Sequence, residues 1–147
     1  MNLSLFVDMT SSTLDDRVAV VAGDRSLTHA ELGAAAQRAA ARFVEMGADG
    51  VVYFGTNDLA FPVALFAAAY AGLPFIPLNF RLGEEQLKPL VAAHRGAAVV
   101  ADPGTVPGAD PNRTVSREDL LEPSFAASGE VELPAFVDPD EVAVVLY

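Results

Sequence analysis

The residues of this 147-residue chain that could do chemistry are few and scattered. There are two histidines, His29 and His94, and no cysteine. Without thiols there is no disulfide frame, no thiolate zinc site and no cysteine nucleophile. The histidines stand far apart and outside any H-E-x-x-H pattern. His29 falls beside a helix start and reads as solvated. His94 precedes Gly96 near a helix end, where an imidazolium suits the C-terminal dipole. Asp15-Asp16 and Glu84-Glu85 are adjacent carboxylate pairs. Neighbours on a helix point in different directions, so neither pair forms an acid–base dyad. The patterns G-x-G-x-x-G, G-x-x-x-x-G-K-[ST] and G-x-S-x-G do not occur. The dinucleotide fingerprint, the Walker phosphate cradle and the nucleophile elbow are therefore missing. Taken residue by residue, the chain assembles no catalytic centre, and no catalytic or metal-ligating residue is assigned.

The elements that would position any site are easier to read. Val18–Ala22 is a β-rich run closed by the turn signal Gly23-Asp24. Thr28 with Glu31 forms a capping box, and Leu27 can staple onto Leu32 across it. The helix that follows carries an apolar stripe at Leu32, Ala36, Ala39, Ala40 and Phe43, and Gly47 ends it. Val51–Phe54 is the next strand. Thr56, Asn57 and Asp58 offer N-caps to an apolar helix, Leu59–Ala71. Phe75–Leu78 is a third strand, and a loop spans Asn79 to Gly83. Glu84 and Glu85 suit the first turn of another helix, which Pro89 should kink or split. Ala97–Ala101 is a fourth strand.

Strands alternating with helices over about residues 17–102 predict βαβ units and an α/β fold, a mostly parallel sheet with helices on both faces. Beyond Asp102 the texture changes, and six of the ten prolines fall there. Residues 103–140 read as Pro-rich loop with one short helix at Ser116–Leu121. Residues 141–147 read as an apolar terminal strand.

Composition bounds the class. Nine Lys+Arg against 20 Asp+Glu give a net charge of -11. That balance argues against nucleic acid, whose phosphates need a basic footprint, and against a polybasic membrane anchor. A hydrophobic share of 52% is enough to build a core. Leu59 to Leu78 carries no charge, and about 20 apolar residues span a bilayer. Gly72, Pro74 and Pro77 break that stretch, so we read a buried helix and a strand, with no membrane span. No basic residue precedes Arg17 and Asp8 interrupts the first apolar run, so no export signal is read and the expected location is cytoplasmic.

The order of the segments carries a resemblance. Ser26-Leu27-Thr28-His29-Ala30-Glu31-Leu32 resembles the L-T-Y-x-E-L opening of the adenylate-forming (AMP-binding) superfamily. Ala67 to Leu82, ending Pro77-Leu78-Asn79-Phe80-Arg81-Leu82, resembles its A-G-A-x-x-x-P-L-N-P-R-L segment, with Phe80 in place of the usual Pro. Gly55-Thr56-Asn57 departs from the more typical L-P-N-S. Glu84–Leu87 and Ala97–Asp102 match the next helix and strand. Asp140–Tyr147 resembles the strand leading into the family's Ser/Thr/Gly-rich phosphate loop, which would begin just after Tyr147.

The resemblance implies the N-terminal portion, residues 1–147, of an acyl-CoA synthetase of the fatty-acid–CoA ligase type. The parent enzyme would use ATP, Mg²⁺ and CoA to turn a carboxylic, fatty acid into acyl-AMP and then acyl-CoA. This stretch alone is expected to be inactive and to hold none of these tightly, because the family's phosphate loop, acidic nucleotide contacts and C-terminal lysine lie downstream. Arg81 is the exception: by position it inherits contact with the CoA nucleotide phosphates, to which a guanidinium is suited. Replacing Phe80 by Pro should matter less for CoA than Arg81→Ala. The alternative is a complete noncatalytic α/β module that binds a protein partner, or a second copy as a homodimer, through its terminal strand.

Overall fold

From the N-terminus, the computed structural model, which describes residues 2–147, runs α1 (Ser4–Thr13), β1 (Val18–Ala22), β2 (Arg25–Thr28), α2 (His29–Glu45), β3 (Val51–Phe54) and α3 (Ala60–Ala71). It continues with β4 (Phe75–Leu78), α4 (Glu84–Ala93), β5 (Ala98–Ala101), a 3₁₀ turn (Pro111–Arg113), β6 (Thr114–Val115) and α5 (Arg117–Leu121). Four strands form one parallel sheet in the order β4-β3-β5-β6. Val51 lies opposite Phe75 and Ala98, and Phe54 opposite Leu78 and Ala101.

Alternation along each strand sends side chains to opposite faces. Val51, Tyr53, Phe75 and Val100 pack with Phe43 of α2 and Val63 and Ala67 of α3. Val52, Phe54, Ile76 and Val99 pack with Leu87 and Val91 of α4. Both faces are therefore covered, which is why these strands read as continuous apolar runs. The capping box at Thr28 is present: its hydroxyl accepts the Glu31 N–H at 3.1 Å, and Glu31 accepts the Thr28 N–H at 2.8 Å. Leu27 and Leu32 share the larger core. Helix α3 is apolar all round because α2 and the sheet enclose it, and it ends at Gly72 in the left-handed region (φ +68°). Among the described residues no helix is long and apolar enough to cross a membrane.

The structure departs from the sequence reading in five places. Helix α1 was not expected; its Thr10 and Thr13 hydroxyls turn back onto the carbonyls of Phe6 and Met9, and buried Val7 packs over Gly33 of α2. Strand β1 does not join the parallel sheet. It pairs antiparallel with β2 across Gly23-Asp24, and its half-exposed pattern suits a hairpin that lays Ala19, Val20 and Leu27 against the core and leaves its other face to solvent. Pro89 does not split α4, since it removes only one backbone donor while Leu87 and Val91 pin the helix to the sheet on either side. Residues 103–140 hold, besides the expected α5, the two-residue strand β6.

The fifth departure is the terminal strand expected at 141–147. It reduces to a single parallel bridge, Phe75 to Val144. Phe75 donates to the Ala143 carbonyl at 2.9 Å and accepts from the Val145 N–H at 2.9 Å. The next rung would need an N–H at residue 77, and Pro77 has none, so the ladder stops. Val142, Leu146 and Tyr147 stay exposed.

Candidate functional site

In a sheet of this order, β4 lies to one side of β3 and β5 to the other. The chain leaves β3 toward β4 and leaves β5 toward β6, in opposite directions, and open α/β sheets receive ligands at the carboxyl rim of such a switch. Here that point is filled by Arg117, the first residue of α5. Ser116 caps that helix by accepting the Asp119 N–H at 2.9 Å, which sets Arg117 against the sheet rim. Its guanidinium donates to both oxygens of Asp102, after β5, at 3.1 and 2.7 Å. It also donates to Asp58 (2.8 Å), the Thr56 carbonyl (3.2 Å) and the Thr56 hydroxyl (2.9 Å), all in the loop after β3. The Tyr53 hydroxyl lies 2.9 Å from the Thr56 carbonyl and 3.2 Å from Asp58, and Asp58 caps α3 by accepting the Ala60 N–H at 2.8 Å.

Gly55 makes this possible. A Cβ there would stand 2.8 Å from Cδ and 2.9 Å from Nε of Arg117, so the guanidinium lies directly on the backbone. The electrostatics follow the geometry. Hydrogen bonds from Arg117 hold the Asp102 carboxyl below its ordinary range, and those to Asp102 keep the guanidinium firmly charged. Burial, reinforced by the Asp58 charge, pushes the Tyr53 hydroxyl well above the usual phenol range. The network is saturated with its own partners and works as a clamp on two loops. Asp58 was foreseen only as a cap and Arg117 only inside a capping motif. Their convergence was missed, and Asp58 and Asp102, each close behind a strand end, were the available signal.

Arg81 lies on the same rim, in the loop after β4. Asn79 Oδ1 accepts the Arg81 N–H at 3.0 Å, and the Leu82 N–H bonds the Asn79 carbonyl at 3.0 Å. Among the described residues its guanidinium has no ion-pair or hydrogen-bond partner; it stands 5.6 Å from the centre of the exposed Phe80 ring. A cleft of about 760 Å³ opens further along, beside Asp102, Thr114, Ser116 and Asp119, and does not include Arg81.

The remaining candidates are dispersed. His29 opens α2. His94 ends α4, as expected, but its Nε2 lies 2.6 Å from the Tyr147 hydroxyl, a contact the sequence did not announce. Glu84 and Glu85 both pair with Lys88 at 3.0 Å, and those carboxylates raise the lysine's pKa, Glu85 foremost. Asp15 accepts the Asp16 N–H within an exposed turn.

The parallel sheet, covered on both faces, defines an open α/β fold. A family model described as AMP-binding enzyme matches residues 8–147, and the chain belongs to that family. It is 38% identical over 88 residues to a feruloyl-CoA synthase of Amycolatopsis, a match covering 58% of this chain and 18% of the synthase. It is 31% identical over 91 residues to a medium/long-chain-fatty-acid–CoA/3-oxocholest-4-en-26-oate–CoA ligase of Mycobacterium marinum, covering 60% of this chain and 16% of the ligase. A benzoate CoA ligase of Burkholderia xenovorans superposes with a TM-score of 0.80 at 20% identity, over 98% of this chain and 32% of that one. The chain thus spans less than a fifth of the length of these two curated relatives.

Proposed function

We propose that this chain forms the opening portion of a cytoplasmic acid–CoA ligase, which joins a carboxylic acid to ATP as acyl-AMP and passes the acyl group to CoA. The family match over residues 8–147, together with CoA-ligase relatives, is the observation that carries this reading. The acid is a fatty acid in the sequence reading, and the mycobacterial relative supports it. The feruloyl and benzoate ligases support an aromatic acid as the second reading. Pyrophosphate release by the full-length protein, offered fatty acids of graded length beside ferulate and benzoate, separates them. We expect turnover with a fatty acid; turnover with the aromatic acids alone would reject the fatty-acid reading.

Arg81 is the residue here that would hold CoA. Its guanidinium stands on the carboxyl rim beside Phe80 without an ion-pair partner among the described residues, and a guanidinium is a group suited to phosphate, which supports the reading. CoA supplies the thiol that takes the acyl group; what Arg81 contributes is binding and orientation of the nucleotide end. Arg81→Ala should raise KM for CoA about tenfold, the scale of one exposed charge-assisted contact, with KM for ATP unchanged. An unchanged CoA constant rejects the role. Mg²⁺ does not fit here: no three His, Asp or Glu side chains converge among the described residues, and Asp58 and Asp102 are engaged by Arg117.

The alternative, a noncatalytic module pairing through residues 141–147 with a partner or a second copy, draws on the exposure of Val142, Leu146 and Tyr147. It has less support, because Pro77 denies the edge a continuous ladder. A sedimentation coefficient independent of concentration would remove the homodimer.

A further inference from the structure

We propose that Phe80 is a positioning residue that holds the Arg81 guanidinium out over the sheet rim for the phosphates of CoA, an inference that rests on the reading of Arg81 given above. Phe80 is 47% exposed, so its ring is not part of either core. The ring is instead placed beside its neighbour, with Arg81 Cζ 5.6 Å from its centre, within the range of cation–π attraction. The backbone beneath the pair is already fixed. Asn79 takes two N–H groups of the turn, from Arg81 and Leu82, at 3.0 Å each. Leu82 packs against the α4-side core. The remaining freedom of Arg81 lies in its side chain, and a long side chain that must be ordered on binding weakens affinity. A ring that restrains it beforehand reduces that loss.

The test is calorimetric titration of CoA into the full-length protein. Phe80→Leu, which keeps an apolar side chain of similar reach but removes the π face, should weaken CoA about threefold. Phe80→Tyr and Phe80→Trp should bind as the parent does. Phe80→Leu added to Arg81→Ala should weaken CoA no further than Arg81→Ala alone, because the ring acts only through the guanidinium. ATP titrations and thermal melts should be unchanged throughout. If Phe80→Leu binds CoA normally while Arg81→Ala does not, the positioning role falls and the Arg81 reading stands. An equal threefold loss in the Arg81→Ala background would overturn it too, by showing that the ring acts independently of the arginine. Normal CoA binding by Arg81→Ala removes both.

Discussion

Arg117→Ala should destabilise the fold by about 2 kcal/mol, read as a fall in melting temperature of about 4–8 °C. Arg117 is 19% exposed, and it alone separates two carboxylates, Asp58 and Asp102. Removing one partner of a buried ion pair costs about 3–5 kcal/mol. Asp58 and Asp102 are 37% and 49% exposed, so water recovers part of that loss. The pH dependence supplies a second signature. Arg117 depresses the folded pKa of Asp102. A carboxyl so depressed stabilises the fold fully above its unfolded value, near 4, and the contribution disappears as pH falls through the folded value. The gap between parent and Arg117→Ala should therefore be full at pH 7 and narrow below about pH 4. A gap as wide at pH 3 as at pH 7 would show that the Asp102 pair contributes nothing.

Gly55→Ala should come close to the same loss, about 1–3 kcal/mol, through overpacking rather than lost charge. Gly55 does not need glycine for its backbone angles; the constraint is space. The added methyl would meet Cδ, Nε and Cζ of Arg117 at 2.8, 2.9 and 3.2 Å. A loose side chain would move aside, but this one is fixed by its bonds to Asp58, Asp102 and Thr56. The methyl can be admitted only by breaking some of them. With Arg117 already replaced by alanine the methyl has room, so Gly55→Ala should then be nearly neutral. Melting curves of both single variants and the double variant decide the matter, and additive losses would refute the coupling.

Where the chain's own periodicity set the structure, the structure could be read in advance. Val51–Phe54, Phe75–Leu78 and the Ala97–Ala101 run are apolar on both faces, and both faces are buried. Thr28 and Glu31 cap α2 because a reciprocal cap needs only local spacing. What depended on distant partners could not be read. Tyr53, Asp58, Asp102 and Arg117 meet across as many as 64 positions of sequence, and no local pattern joins them. The Val18–Ala22 run was legible as a strand but not as half of a hairpin, since its partner Arg25–Thr28 carries little apolar signal. Arg81 was singled out by resemblance alone; its free guanidinium and the ring beside it are visible only in three dimensions.

Pro77 also bears on colloidal behaviour. An apolar segment beside an unfinished sheet rim would ordinarily seed cross-chain growth, because each open N–H and C=O invites another strand. Here a pyrrolidine ring takes the place of the one donor such growth would need next. At that edge the rim should be a poorer template for cross-chain growth than its apolar surface suggests.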